Sequence, residues 1–272
     1  MLITEQRNKN TMHIPEMSTA DMMRVMQEEN KRAAEALDSE LDAIGAAVDA
    51  ISERMKRGGR LFYIGCGTSG RLGVLDASEC PPTYGVPKEL VVGIIAGGDY
   101  ALRNAIEGAE DNAELGAQTI KEHNLTELDS LVGISVAGGA KFVLGAMEAA
   151  KETGALVVAL SSNLDTPIER IADIAIHPIT GPEVITGSSR MKAGTSHKMV
   201  LNMISTAVMI RQGHVYENLM INLRPTNVKL RGRMIRIVSD ILKCSEERAE
   251  ELLEENGFVI KDALRAVGKV VD

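Results

Sequence analysis

The chain has 272 residues, an apolar fraction of 44% and a net charge of -8, with a sequence pI near 5.3. This length predicts one large α/β domain with a small appendage, and the acidic balance argues against nucleic-acid binding, which usually needs a basic face. The three cysteines show no C-x-x-C spacing, so neither a disulfide framework nor a zinc site is expected. No apolar run reaches the roughly 18 residues of a membrane span, and no signal core is visible, so we expect a cytoplasmic protein without membrane contact.

The first 17 residues are polar and irregular. Within them, Thr4-Glu5-Gln6-Arg7-Asn8 has the character of an arm that needs a docking surface. Ser18-Thr19-Ala20-Asp21 fits the hydroxyl-x-x-acid form of the capping box, which predicts that a helix begins there. Two helices are expected, Thr19–Leu37 and Ser39–Lys56, and Gly58-Gly59 ends the second.

From residue 61 onward, short apolar runs alternate with helical stretches. The expected strands are Leu61–Ile64, Val91–Ile95, Leu131–Val136, Leu156–Leu160 and Ile174–Ile176. The expected helices are Arg71–Cys80, Asp111–His123, Lys141–Thr153 and a short one at Pro167–Ile171. Apolar runs without alternation are typical of strands covered on both faces, so the pattern predicts an α/β fold with a mostly parallel five-stranded sheet between two helical layers. Ligands of such sheets bind at the carboxyl ends of the strands, which selects the loops 65–70, 96–99, 137–140, 161–163 and 181–198.

A long helix is predicted over Ala193–Gln212, and beyond Arg224-Pro225-Thr226 the chain becomes more charged. The apolar face expected to be buried, with a subunit contact as one option, consists of Met199, Met203, Val208 and Ile210. The tail is expected to form three helices, Asn227–Leu242, Glu246–Glu255 and Asp262–Val271. These patterns divide the chain into a domain over residues 1–225 and a small helical, UBA-like module over residues 226–272.

The most informative stretch is Gly65-Cys66-Gly67-Thr68-Ser69-Gly70-Arg71, between the first strand and the next helix, which Pro81-Pro82 is expected to end. Glycines in this position allow backbone N–H groups to face a ligand, and the helix dipole adds roughly half a positive charge. The hydroxyls of Thr68 and Ser69 can donate further hydrogen bonds. We interpret the stretch as a phosphate cradle.

Two other interpretations of the same stretch remain open. Gly65, Gly67 and Gly70 match the dinucleotide fingerprint, but the acid that should hold a ribose is missing from the end of the second strand, where the first acid is Asp99. No Walker sequence occurs. A tight turn without a ligand is the other alternative.

Three acidic positions are candidates for acid–base chemistry. Glu79 lies among small and apolar neighbours near a helix end, where a carboxyl pKa can rise toward neutrality, although a surface glutamate is as plausible there. The cluster Glu107-Gly108-Ala109-Glu110-Asp111 follows the second strand and is otherwise a solvated helix N-terminus. Glu183 is a third acid at the same edge.

Cations also gather near this edge. Arg190, Lys192 and Lys198 surround hydroxyl groups before the long helix, which suits an anion, although a flexible loop with solvated charges fits as well. His197 is the histidine nearest to the expected pocket, and a surface role is favoured for it. No group of histidines and acids has metal-ligand spacing.

Several long motifs resemble one known family. They are Thr4–Asn8, Met17–Thr19, Gly65–Thr83, Gly93–Gly98, Glu107–Asp111, Gly181–Arg190, Lys198–Met203 and Tyr216–Met220. Together they resemble the N-acetylmuramic acid 6-phosphate etherases, members of the sugar isomerase (SIS) fold superfamily. The resemblance covers nearly the whole chain.

The resemblance implies a reaction and a set of roles. Members of the family cleave the ether between C3 of the sugar and a D-lactyl group by β-elimination followed by addition of water, and they need neither metal nor nucleotide cofactor. Glu79 is then the acid/base nearest the reacting carbons and Glu110 its partner. The implied substrate contacts are Gly67, Thr68, Ser69, Gly70, Arg71, Ser78, Glu183, Ser188, Ser189 and Lys198. The family also implies a homodimer whose pocket is shared between subunits.

One loop departs from the family. After the third strand the family usually has Ala-Ser-Gly-Arg-Thr-Pro-Tyr, whereas this chain has Val136-Ala137-Gly138-Gly139-Ala140-Lys141-Phe142. Two hydroxyls and an arginine are replaced, and Lys141 supplies a cation at the helix start. The alternative that follows is a phosphosugar-binding regulator of the same fold without turnover.

Overall fold

A computed structural model describes residues 1–225 and 227–269. Its main sheet has five strands, β1 (Leu61–Gly65), β2 (Val91–Ile95), β3 (Ser130–Ile134), β4 (Leu156–Leu160) and β5 (Ile174–Ile176). The strand order is β2-β1-β3-β4-β5, and every neighbouring pair is parallel. The predicted α/β fold with a five-stranded parallel sheet is therefore confirmed.

The α-helices before the tail are α1 (Thr19–Glu35), α2 (Leu41–Lys56), α3 (Gly67–Tyr84), α4 (Ala113–Glu122), α5 (Lys141–Glu152), α6 (Pro167–Ile171) and α7 (Lys192–Arg211). They cover both faces of the sheet, because alternate residues of each buried strand point to opposite sides. On one face, Tyr63 and Val132 pack with α2, α3 and α7. On the other face, Phe62 and Leu131 pack with α4, α5 and α6.

The helix after β1 is longer than the sequence predicted. It begins at Gly67 rather than near Arg71, and it runs through Pro81 and Pro82 to Tyr84. Proline removes a backbone donor, yet the ring also fixes φ near its helical value, so a helix can continue for one more turn. The helix ends at Gly85, which adopts the left-handed conformation and donates its N–H to the carbonyl of Pro81. The predicted stop at the prolines was wrong by about one turn.

The buried face of α7 also differs from the prediction. Val200, Leu201 and Ile204 are fully buried, whereas Ile210 is half exposed and Met199 and Met203 pack only at the margin of the core. Val208 alone of the four predicted positions is fully buried.

The tail follows a short antiparallel hairpin, β6 (Val215–Tyr216) and β7 (Leu219–Met220), which the sequence analysis did not predict. Its helices are α8 (Val228–Leu242), α9 (Glu246–Glu255) and α10 (Ile260–Ala266). They form a separate apolar cluster that includes Met234, Val238 and Leu253. The predicted end of the last helix, Val271, lies outside the described residues.

Candidate active site

Tight packing between β1 and α3 gives the first wall of the site its shape. A Cβ on Gly70 would lie 2.5 Å from the Gly65 carbonyl oxygen and 2.6 Å from an Ile95 side-chain carbon, so only glycine allows this approach. Gly67 adopts a positive φ of 52° as the chain turns into the helix. Cys66, at the N-cap of α3, provides no side-chain cap. The stretch predicted to be a loop is thus the first turn of α3, whose backbone N–H groups are open to a ligand.

A second helix begins at the same place. The segment Ser135–Ala140 follows β3 and leads into α5, whose N-cap residue Ala140 also makes no side-chain cap. Both helix starts border one cavity of about 390 Å³, a volume within the range of small-ligand pockets. Two positive helix ends at one cavity favour an anionic ligand.

Hydroxyl groups and carboxylates complete the wall. The lining includes Thr68, Ser69, Ser189, Glu110 and Asp111. Within residues 1–225 and 227–269, the three hydroxyls make no hydrogen bond to protein, so their donors are available to a ligand. These residues come from two segments that are far apart in sequence. Thr68 and Ser69 lie at the start of α3, and Ser189 lies just before the start of α7.

The two carboxylates lie in a short turn, Ala109–Asp111, at the mouth of the cavity. The Asp111 carboxylate lies 3.7 Å from the ammonium of Lys141, and both side chains are exposed. Glu110 also borders a neighbouring cavity of about 310 Å³ and has no ion-pair partner among the described residues. Burial raises the pKa of the Cys66 thiol to about 12, and the charges of Glu110 and Asp111 add to the rise, so this thiol stays protonated.

Arg71 lies beside the second cavity and holds a loop in place. Its guanidinium donates to the carbonyl oxygens of Leu102 at 2.9 Å, Ala101 at 2.7 Å and Asn104 at 3.4 Å. The side chain therefore fixes the segment that leads from β2 toward the acidic turn.

Several residues selected from the sequence lie away from this cavity. Glu79 and Ser78 are exposed on α3, and Glu79 lies twelve residues beyond Gly67, which places it about 18 Å along the helix axis. The Ser78 hydroxyl donates to the Leu75 carbonyl within the same helix. Lys198 is exposed on α7 and donates to Asn202. Ser188 precedes the cavity residue Ser189 but does not line the cavity.

Two charged residues near the start of α7 are buried rather than facing a ligand. Glu183 accepts the backbone N–H groups of Lys192 and Ala193, both at 3.0 Å, and so caps the helix. The Lys192 ammonium forms an ion pair with Glu29, and both side chains are 1% exposed. The expectation of a solvated or ligand-facing Lys192 was wrong, because α1 supplies a carboxylate that the loop sequence does not reveal.

Other residues were missed by sequence reasoning. Ser135 and Val136 line the cavity, and Asn163, fully buried beside it, makes hydrogen bonds that the sequence does not indicate. His197 is fully buried with Nε2 at 3.0 Å from Ser162 Oγ, although a surface position was expected. Its burial lowers its pKa to about 4. For Ser135, Val136 and Asn163 the sequence signal was their place after the carboxyl ends of β3 and β4, whereas His197 lies in α7 and was named from the sequence with the wrong exposure.

The described part of the chain has no group of three histidines, cysteines or acids arranged to hold a metal. None of its helices has the length and apolarity needed to cross a membrane.

The parallel sheet with a cavity at the starts of α3 and α5 is that of an SIS-type fold. A phosphoheptose isomerase from Francisella tularensis has a TM-score of 0.54 at 18% identity, with 71% of this chain and 98% of that chain covered. A putative phosphosugar isomerase from Bacteroides fragilis has a TM-score of 0.54 at 22% identity, with 72% and 94% covered. At these identities the similarity shows the fold alone. The glucokinase regulatory protein N-terminal SIS domain family matches residues 43–151.

Relatives that match nearly the whole of this chain identify its family within the proteins of this fold. The N-acetylmuramic acid 6-phosphate etherase of Caldanaerobacter subterraneus subsp. tengcongensis is 54% identical, over 97% of this chain and 86% of the relative. The enzyme of the same name from Clostridium beijerinckii is 50% identical over the same shares, and that of Salmonella agona is 48% identical over 97% and 89%. The chain belongs to the N-acetylmuramic acid 6-phosphate etherase family.

Proposed function

We propose that the protein cleaves the C3 lactyl ether of N-acetylmuramic acid 6-phosphate to give N-acetylglucosamine 6-phosphate and D-lactate. The observation that carries the proposal is the cavity between the starts of α3 and α5, which presents the N–H groups of two helix starts and several hydroxyls to a phosphosugar beside the carboxylate of Glu110. The high identity to etherases over nearly the full chain supports the same substrate.

The chemistry needs proton transfers but no redox step. In the open-chain sugar, the C1 aldehyde acidifies the proton on C2, a carboxylate removes that proton, and the C3–O bond breaks as lactate leaves with a proton. Water then adds its oxygen to C3 and a proton to C2, which restores the sugar. We assign these transfers to Glu79 and Glu110, because two carboxylates can serve alternately as base and acid.

The phosphate, in this proposal, lies against the first turn of α3 and the start of α5. Thr68 and Ser69 donate hydroxyl hydrogen bonds, and Ser189, which lines the same cavity, donates a third. At the altered loop, backbone N–H groups at the start of α5 and the ammonium of Lys141 take the place of the family's hydroxyls and arginine. Ser78, Ser188 and Lys198 are kept as proposed substrate contacts. Gly67 and Arg71 border the cavities, and Gly70 and Glu183 hold the segments behind them.

We further propose that the enzyme is a homodimer with a shared pocket. Within one chain, Glu79 is about 18 Å along α3 from the turn that borders the cavity, and it lines neither of the two cavities that Glu110 borders. Glu79 is also exposed, as a group that completes a partner's pocket must be. Each pocket then combines Glu110 of one subunit with Glu79 of the other.

Two lesser assignments accompany the proposal. The apolar cluster formed by the tail helices supports a catalytic domain over residues 1–225 and a separate UBA-like module over 226–272. The cytoplasm is the proposed location, because a sugar phosphate is charged and does not cross a membrane unaided.

The function is tested by incubating the purified protein with N-acetylmuramic acid 6-phosphate and measuring D-lactate. Wild type is expected to release lactate and Glu79→Gln to lose at least about 100-fold in rate, because the amide cannot accept a proton. Wild-type protein that is thermally stabilised by the substrate but releases no lactate would instead identify a phosphosugar-binding regulator.

Pocket sharing is tested by mixing two inactive variants, Glu79→Gln and Glu110→Gln, under conditions that allow subunits to exchange. In a mixed dimer, one pocket contains both substitutions and the other contains neither. Random pairing therefore restores about a quarter of wild-type activity if the two carboxylates come from different subunits. No restoration despite demonstrated exchange would mean that both carboxylates act from one chain.

A further inference from the structure

The N-terminal arm, residues 1–17, buries polar side chains instead of exposing them. Thr4, Asn8 and Thr11 are each less than a tenth exposed, although the arm contains only short helical turns. Buried polar groups are costly unless they are hydrogen-bonded. The hydrogen-bond partners of these three side chains therefore identify the segments of the fold to which the arm is attached.

The first anchor is Asn163, which is 1% exposed and follows β4. Its side-chain carbonyl accepts the backbone N–H of Ile3 at 2.7 Å. Its amide group donates to the Thr4 hydroxyl at 3.0 Å and to the Val136 carbonyl at 2.9 Å. One side chain thus connects the arm to the segment that lines the cavity between β3 and α5.

The second anchor is the buried pair of Glu29 and Lys192. The Asn8 amide donates to Glu29 at 2.8 Å and to the Pro182 carbonyl at 3.1 Å. The Thr11 hydroxyl donates to the Val184 carbonyl at 2.8 Å. These bonds hold the segment 181–191, which contains the cavity residue Ser189 and leads into α7.

We propose that the arm is a clamp that sets the positions of the two cavity-lining segments, 135–140 and 181–191, and that Thr4 is a positioning residue for substrate binding. The inference rests on the proposed function for its substrate. It goes beyond that function, because Thr4 touches neither cavity and acts only through Asn163 and Val136.

The physical reason is preorganisation. Uncapped N–H groups bind an anion tightly only if they already point at one place, since each loop that orders on binding subtracts from the affinity. Without the Thr4 hydroxyl, the Asn163 amide keeps only the Val136 carbonyl, and its orientation is less restricted. The clamp therefore affects substrate affinity more than the chemical step.

Thr4→Val is the decisive variant, because valine keeps the buried volume and removes one hydroxyl, whereas deletion of the arm can prevent folding. Thr4→Val is expected to raise KM for lactate release about fivefold, as loss of one hydrogen bond implies, with kcat within about twofold of wild type. Thr4→Ser, which restores the hydroxyl, returns KM to the wild-type value. Gln6→Ala, an exposed arm position, is the matched control and changes neither parameter.

A second readout is independent of turnover. Titration with inorganic phosphate, followed by thermal unfolding, should give weaker stabilisation for Thr4→Val than for wild type. An unchanged KM, or a fall in kcat that follows the loss of folded protein and is not rescued by serine, would overturn the clamp. Absence of lactate from wild type contradicts the proposed function instead, and the phosphate titration still decides whether the arm positions the site.

Discussion

The polar groups that line the cavity and those buried beneath the N-terminal arm differ in whether protein groups satisfy their hydrogen bonds. At the cavity lined by Thr68, Ser69 and Ser189, these hydroxyls have no hydrogen-bond partner among the residues that the structure describes, whereas beneath the arm Glu29 accepts from Asn8, Asn10 and Lys192. Free donors at a cavity are available to a ligand but add nothing to the stability of the fold. Satisfied buried groups define one arrangement of the chain, and removing any of them leaves a partner unsatisfied. Substitutions in the first region should therefore change binding and leave stability unaltered, whereas removal of a buried charge in the second region should lower stability.

The largest expected effect is in the buried region. Glu29→Gln leaves the Lys192 ammonium without its counter-charge at a site that is 1% exposed, and loss of one partner of a buried ion pair costs about 3–5 kcal/mol. Urea unfolding of wild type and variant at pH 7.5 measures this loss. The double variant Glu29→Gln/Lys192→Met removes the isolated cation and should recover more than half of it. A single variant as stable as wild type would contradict the assignment of this pair to the fold.

At the cavity, Thr68→Val should weaken substrate binding without loss of stability. A hydrogen bond to a charged phosphate contributes about 1.5–3 kcal/mol, which corresponds to a 10- to 100-fold rise in KM. Because the Thr68 hydroxyl has no partner within the described residues, the urea midpoint should stay at its wild-type value. Thr119→Val, whose hydroxyl donates to a carbonyl of its own helix, is the control that should leave KM unchanged. A stability loss in Thr68→Val with unaltered KM would reverse the comparison.

The sequence predicted the strands of the sheet well, but it did not predict the burial and the partners of the charged residues around the site. Val91–Ile95 and Leu156–Leu160 were predicted with the observed bounds, because apolar runs bounded by polar turns define buried strands. The carboxyl ends of β1 and β3 were expected to share a ligand edge, and the segments that follow them line one cavity. Local patterns suffice for such features.

The wrong predictions concern residues whose partners or neighbours in the fold are far away in sequence. Lys192 looked like a ligand-facing cation because its partner, Glu29, lies 163 positions away on α1. His197 looked exposed because its neighbours in sequence are polar, yet the packing of α7 against the sheet buries it. The distance of Glu79 from the cavity depends on where α3 begins, which is Gly67 and not near Arg71 as the sequence predicted. A local sequence pattern does not indicate which distant residues become neighbours in the fold.

A smaller effect than that of Glu29→Gln is expected from His197, whose protonation should make the stability of the fold depend on pH. Burial lowers its folded-state pKa to about 4 from 6.5, so protonation favours the unfolded chain and stability falls as pH drops below about 6.5. Between pH 7.5 and 5 this residue alone accounts for about 2 kcal/mol of lost unfolding free energy. Urea unfolding at both pH values should show a loss that is smaller by this amount in His197→Gln. Parallel losses in the two proteins would exclude His197 as the source.

The smallest expected effect tests whether a hydrogen-bonded buried group can still oppose folding. Burial raises the pKa of Asp76, although Ser205, Asn202 and Tyr63 lower it in part. One Asp76 oxygen accepts from Asn202 at 2.6 Å and from Ser205 at 3.2 Å. Because the folded-state pKa is raised, ionisation favours the unfolded chain, and stability should fall as pH rises above the ordinary aspartate pKa.

Asp76→Asn keeps the oxygen that accepts both bonds and removes the charge. The unfolding free energy at pH 7.5 should therefore rise, and the difference from wild type should vanish in acid, where Asp76 is protonated. If the variant is instead less stable at pH 7.5, the ionised carboxylate is a net stabilising group, and its hydrogen bonds outweigh the cost of burial. In that case Asp76 belongs with the ion pair of Glu29 and Lys192, among the groups whose charge the fold requires.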